Sequence, residues 1–239
     1  MAHSLLTIQN LKAWYSCQHM VLSDFSLNIL PHEAVGLIGL NGAGKTTFFK
    51  ILSGLLTTYR ANQIQFRGRP IGFRDRDFKL FRYTVFAEDH SFPYFTFREY
   101  LSYVFAAYRK NIPDISKLLQ GFHFEDYTDV LLKDLSTGNR KKAFLITGFA
   151  LKPDLLLLDE PVGTLDFQST EYLYQQMDAY KEYGTVLFSS HILESITLTC
   201  DRVCVLNQGM ICQTFEGRQI QAADIREALR YERNVSGFI

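Results

Sequence analysis

Between Leu5 and Leu11, and again from Phe25 to Leu30, apolar and polar positions alternate. That is the period of strands buried on one face only, which usually pair antiparallel. Ala34 to Leu40 is apolar without alternation, as are Leu155 to Leu158 and Thr185 to Phe188. Unbroken apolar runs of that length suit strands buried on both faces of a parallel sheet. Helical patterns follow each of these three strands, over 45–55, 169–183 and 192–199. Strand–helix–strand alternation predicts a doubly wound α/β core. Near the C-terminal end, 203–206 and 210–215 flank Asn207-Gln208-Gly209, a hairpin signal.

The segment from Phe66 to Leu135 has another character. Eleven of the 28 residues from Phe81 to Tyr108 are Phe or Tyr. Thr96 and Glu99 have the spacing of a capping box. Behind them, Leu101, Val104, Phe105 and Tyr108 fall on one helical face. The expected organisation is a single domain over 1–239, with 1–89 and 136–239 forming the α/β core and 90–135 inserted as a helical lobe. No internal repeat or low-complexity linker interrupts it.

Composition narrows the field. The 239 residues carry 25 Lys and Arg against 25 Asp and Glu, so the formal net charge is zero. A hydrophobic share of 47% with 21% charged residues builds a real core and excludes disorder. Zero net charge supplies no global field for nucleic acid, so no nucleic-acid partner is expected. The best membrane-span candidate, 143–151, is far shorter than the ~20 residues a span needs and contains Thr147 and Gly148. The first ten residues lack the basic and apolar regions of a signal peptide. Of the cysteines Cys17, Cys200, Cys204 and Cys212, the pair at 200 and 204 has helix spacing for two metal ligands. The strand pattern over 202–206 breaks that geometry, so small buried hydrophobes in a reducing compartment are expected.

Gly39 to Thr46 reads Gly-Leu-Asn-Gly-Ala-Gly-Lys-Thr, matching G-x-x-x-x-G-K-[ST] between a buried strand and a helix. Its glycines let consecutive N–H groups curl around phosphate oxygens. The helix beginning at Lys45 aims its free amides and dipole at the same anion. Lys45 is placed to reach the β- and γ-phosphates, and the Thr46 hydroxyl to ligate Mg²⁺. Asp159 and Glu160 end the leucine strand, where α/β sheets bind ligands. Neighbouring residues at a strand end point in different directions. One carboxylate is therefore assigned to the metal, Asp159, and the other to the attacking water, Glu160 as general base. His191 ends another core strand, where a γ-phosphate contact is chemically reasonable.

With these residues in hand, the chain resembles the ATP-binding subunits of ABC transporters over nearly its whole length, to about residue 215. Leu135-Ser136-Thr137-Gly138-Asn139 is similar to the LSGGQ signature, and Pro161 to Asp166 to the D-loop. His191 falls at the switch-histidine position and Tyr15 at that of the aromatic that stacks on adenine. The resemblance implies a P-loop nucleotide hydrolase core with an antiparallel β subdomain and an inserted α-helical lobe. It implies an ATPase in which Tyr15, Gly39, Asn41, Gly42, Ala43, Gly44, Lys45, Thr46 and Thr47 bind ATP. Catalysis then falls to Glu160, His191 and Lys45, and Mg²⁺ to Thr46, Asp159 and Glu88. Ser136, a helix cap on local reading, would with Gly138 and Asp166 meet the ATP of a second cassette, in a homodimer or another pairing.

Three residues depart from the family pattern. Thr137 replaces the first signature glycine and Asn139 the final glutamine. Glu88 takes the place of the Q-loop glutamine, and no glutamine occurs between Gln65 and Gln120. The resemblance further implies an integral-membrane permease partner, with the chain peripheral on the cytoplasmic face of the cell membrane. Tyr94, Phe95 and Phe97 are the candidates for an exposed docking groove. The short tail after Phe215 favours export. The competing function is a soluble ABC-type ATP switch without a permease, but the coiled coils, zinc modules or second fused cassette of such relatives are not seen in this sequence.

Overall fold

The computed structural model describes residues 4–16 and 19–235, except for the side chains of 230–235. Cys17 lies outside the described residues. β1 (Leu6–Ser16) and β2 (His19–Ile29) pair antiparallel, with Leu6 opposite Ile29 and Ser16 opposite His19. β3 (Ala34–Ile38) leads through the glycine loop into α1 (Lys45–Leu52). The short strands β4 (Tyr59–Arg60), β5 (Gln63–Phe66) and β6 (Arg69–Pro70) complete an antiparallel sheet of order β2-β1-β5-β6, with β4 also on β1.

α2 (Arg76–Phe81) precedes β7 (Arg82–Val85), then come α3 (Phe97–Ala107), α4 (Ser116–Gly121) and α5 (Thr137–Leu151). β8 (Leu155–Leu158), α6 (Phe167–Tyr180), β9 (Thr185–Ser190) and α7 (Leu193–Thr199) restore the alternation. β10 (Arg202–Asn207), β11 (Met210–Glu216) and α8 (Ala222–Val235) close the described chain. The second sheet has the order β11-β10-β3-β9-β8-β7, parallel except at β11.

The leucine strand shows why this sheet is buried twice. Leu156 and Leu158 join one apolar cluster, whereas Leu155 and Leu157 join the other on the opposite face. Each fully buried leucine contributes roughly 1.5–3 kcal/mol, so neither face tolerates a polar residue before the strand ends. β10 and β11 turn at Gln208 and Gly209, both with positive φ (44° and 79°), the two-residue turn whose twist suits a hairpin.

Helix ends differ from the sequence reading by a few residues. α1 stops at Leu52 rather than 55, because Gly54 takes φ 75° and the Leu55 and Leu56 amides both fold back onto the Lys50 carbonyl. α6 starts at Phe167, before 169, because the Asp166 carboxylate accepts from the Ser169 amide and caps it. α3 has the capping box in full: Glu99 N donates to Thr96 Oγ1, and Thr96 N to Glu99 Oε2.

The region between 97 and 135 does not build a core of its own. Phe97, Leu101, Val104 and Phe105 of α3 pack with Phe122, Phe124 and Leu132 in the same cluster as α5 and one face of the parallel sheet. This corrects one expectation about the docking groove. Phe97 is 0% exposed, edge-on to Phe124 at 5.1 Å, because it heads the apolar row of α3. Phe95 is half-buried against Phe92 and Tyr103. Tyr94 alone of the three stands clear, 73% exposed beneath the Lys133 ammonium.

Candidate active site

The loop after β3 is tight where the glycines stand. A Cβ on Gly39 would run into the Leu206 carbonyl of β10, and Gly44 holds φ 111°. Gly44 occupies the N-cap of α1 with no side chain to cap it. The first-turn amides of α1 therefore keep hydrogen-bonding capacity for an anion. Lys45 Nζ, buried, donates to the carbonyls of Gly39 (2.7 Å) and Leu40 (3.3 Å), so the ammonium rests inside the loop it belongs to.

Above this loop lies an open cleft of about 530 Å³. Tyr15, Asn41, Gly42, Gly44, Lys45, Thr46, Thr47, Glu160 and His191 all line it. They come from the ends of β1, β3, β8 and β9, four places separated by up to 176 residues (191 − 15). Tyr15 is exposed and its hydroxyl lies 3.3 Å from Thr47 Oγ1. Gly39 and Ala43 form the base of the loop rather than the cleft wall.

The two acids diverge at the end of β8. Asp159 is fully buried: its Oδ1 accepts from Ser189 Oγ at 2.7 Å, and its Oδ2 has no partner. Burial pushes its carboxyl above the usual range, opposed by the Ser189 and Thr46 hydroxyls. Glu160 turns the other way, with φ 47°. Its Oε2 accepts from His191 Nδ1 at 2.7 Å and from the His191 amide at 3.3 Å. Its Oε1 stands 3.7 Å from Lys45 Nζ.

Among the described residues, no group of three His, Cys, Asp or Glu side chains is placed to hold a metal ion. Mg²⁺ does not need one, since it takes one or two protein oxygens and fills the rest with phosphate and water. The hard oxygens of Thr46 and Asp159 fit that role, and Asp159 Oδ2, buried without a hydrogen-bond partner, is an oxygen free to ligate a cation. Glu88 is placed elsewhere. The chain leaves β7 at Val85 and turns along α5, so Glu88 lines a separate pocket of about 170 Å³ with Asp89, His90, Thr137, Arg140 and Lys141.

Ser136, Gly138 and Asp166 are also away from the cleft. Ser136 Oγ accepts from Asn139 N (3.2 Å) and caps α5. A Cβ on Gly138 would meet the Thr164 carbonyl at 2.6 Å, so the start of α5 lies against the loop before α6. Asp166 binds the buried Lys142 at 2.6 Å, which together with the Ser169 bonds holds its carboxyl well below the usual range although burial opposes them. Among the described residues Cys200 and Cys204 join no cluster placed to hold a metal, and burial pushes both thiols up.

Sequence reasoning missed Ser189, His19 and Val21. Ser189 donates to Asp159 and accepts from the Glu160 amide (3.0 Å), so one hydroxyl holds both acids. Its signal was two serines closing an otherwise apolar strand. His19 and Val21 reach the cleft through the pairing of β1 with β2, which places the start of β2 beside Tyr15.

The model of the family described as "ABC transporter" matches residues 22–163. An ABC transporter ATP-binding protein of Bacillus subtilis, AlbC, is 35% identical over 218 residues, covering 87% of this chain and 90% of its own. The Nod factor export ATP-binding protein I of Cupriavidus metallidurans is 29% identical, over 86% of this chain and 69% of its own. Among solved structures, an "ATP binding subunit of ABC transporter" superposes with a TM-score of 0.81 at 26% identity, covering 96% of this chain and 95% of that one.

Proposed function

The chain belongs to the ATP-binding subunits of ABC transporters, ATPases that drive membrane transport, and from that premise we propose that it hydrolyses MgATP in the cleft above Gly39–Thr47 while paired with a second cassette. The observation that carries this reading is the convergence of Lys45, Glu160 and His191 on one side of the cleft with Asp159 buried behind them.

Lys45 donates to two loop carbonyls and stands 3.7 Å from Glu160 Oε1. A γ-phosphate offers the ammonium a stronger, charge-assisted acceptor, worth about 1.5–3 kcal/mol. That transfer frees Glu160 to accept a hydrogen bond from water. Glu160 takes the proton as the water oxygen attacks phosphorus and the bond to the β-phosphate oxygen breaks. His191 holds the Glu160 carboxylate by ring and amide, so its direction is set before the water arrives. Thr46 and Asp159 would hold Mg²⁺, whose positive charge would offset the negative charge of the phosphates. Tyr15, exposed at the rim, offers a ring face to the adenine.

Ser136, Gly138 and Asp166 sit outside their own cleft, and we assign Ser136 and Gly138 to the nucleotide of the second cassette. The permease partner meets the exposed Tyr94 side, which leaves the chain peripheral on the cytoplasmic face. Among the described residues no helix is long and apolar enough to cross a membrane. Export is the direction we assign, on the likeness to the Nod factor export protein.

Glu160→Gln tests the reading. It should bind MgATP, lose turnover by about 10²–10⁴-fold and accumulate as an ATP-dependent dimer in sedimentation runs. Turnover at the wild-type rate, or a mutant that stays monomeric with ATP bound, overturns it.

A further inference from the structure

Two consecutive lysines on α5 are buried, and they are answered in different ways. Lys142 meets Asp166 directly, at 2.6 Å. Lys141, 4% exposed, makes no direct ion pair among the described residues. Its ammonium donates instead to the carbonyl of Phe86, the first residue after β7. That residue is one strand away from the acids, because Asp159 N donates to the Val85 carbonyl at 2.8 Å.

Four carboxylates act on the Lys141 charge from two elements: Asp159 and Glu160 at the end of β8, Glu88 and Asp89 on the loop after β7. Burial pulls its ammonium down to about 8 against all four. It is thus desolvated and still mostly charged at neutral pH. Glu88 and Lys141 line the same small pocket, of about 170 Å³. Remove the lysine, and the exposed Glu88 adds its charge to three other acids that no longer have that cation among them.

We propose that Lys141 is a positioning residue for hydrolysis: its ammonium balances Glu88 and ties the Phe86–Asp89 loop to α5, keeping that loop against the strand ends that carry Asp159 and Glu160. The proposal rests on the ATPase reading above. It makes Glu88 and Lys141 a matched pair, since a neutral side chain at 88 would leave less charge to balance.

A double-mutant cycle over Lys141→Met and Glu88→Gln tests it, read both as MgATP turnover and as the unfolding midpoint in EDTA without nucleotide. Lys141→Met should lower kcat by about tenfold or more, with KM within about threefold, and lower the midpoint. Adding Glu88→Gln to it should recover at least about threefold in kcat and part of the midpoint. Lys141→Arg should stay within about threefold of wild type. If Lys141→Met does not fold, Lys141→Gln, which keeps a donor for the Phe86 carbonyl without the charge, carries the same cycle. Effects that simply add, or a Lys141→Met enzyme with wild-type kcat, overturn the proposal. Failure of the ATPase reading looks different: wild type then lacks turnover, while coupling at the EDTA midpoint is still measurable.

Discussion

Glu160 stands at φ 47°, a backbone region that costs a non-glycine residue about 1–2 kcal/mol. The cost is met by its neighbours: Ser189 accepts its amide, and His191 and Lys45 hold its carboxylate. That backbone turn sends the second acid into the cleft while the first stays buried. Adjacency in the sequence implied the divergence; Ser189, which enforces it, was legible only as a polar strand end. Asp166 is a second case. Read by resemblance as a nucleotide contact, it caps α6 and neutralises Lys142. Its carboxyl is held below the usual range, so the stability it adds is present above about pH 4, the unfolded carboxylate value. That stability is lost as pH falls below that point. Asp166→Asn should therefore be less stable than wild type near pH 7, with the gap narrowing as urea midpoints are taken down through pH 4. A gap constant with pH would show that capping alone, and not the charge, matters.

At the scale of elements, close approach decides what patterning leaves open. The apolar run of β3 promised a doubly buried strand, but not which helix would lie on it. A Cβ on Gly36 would come within 2.5 Å of Cys200 Sγ and 2.7 Å of Ile196 Cδ1. The missing side chain is therefore what seats α7 and the residue after it against the sheet. Gly36→Ala should cost about 1–3 kcal/mol, the usual range for overpacking, measured by denaturant unfolding. Because α7 follows His191 directly, the same variant should also lower ATP turnover. A neutral effect on both would mean that Ile196 and Cys200 can shift at no cost. The α3 capping box was readable in advance because it is local, four residues apart. The burial of Phe97 was local too, since it lies four residues before Leu101 on the apolar face of α3, and placing it in a docking groove ran against that pattern.

At the scale of the molecule, the sheet sets the architecture of the site. Its strands β3, β8 and β9 lie side by side in parallel, so the loop after each one emerges at the same edge. Lys45, Glu160 and His191 meet there for that reason. With a formal net charge of zero, no global field draws the chain to a partner, and Tyr94 is the most exposed aromatic between Phe81 and Tyr108. Tyr94→Glu should leave the basal ATPase rate of the purified chain within about twofold and reduce recovery with the membrane fraction in co-sedimentation. Unchanged recovery would move the docking surface elsewhere.

The order of apolar runs, the glycine loop and the acid pair determined the fold class, the loop at the start of α1 and the divergence of Asp159 from Glu160. These are encoded in short stretches of chain, where periodicity, backbone freedom and strand-end geometry act over a few residues. Tertiary structure alone decided that Glu88 lines a pocket with Lys141 rather than the cleft, that His19 joins Tyr15 at the rim, and that one serine on β9 holds both acids. Each of those depends on two segments distant in sequence coming within a few ångströms, which packing between elements sets and no local pattern records.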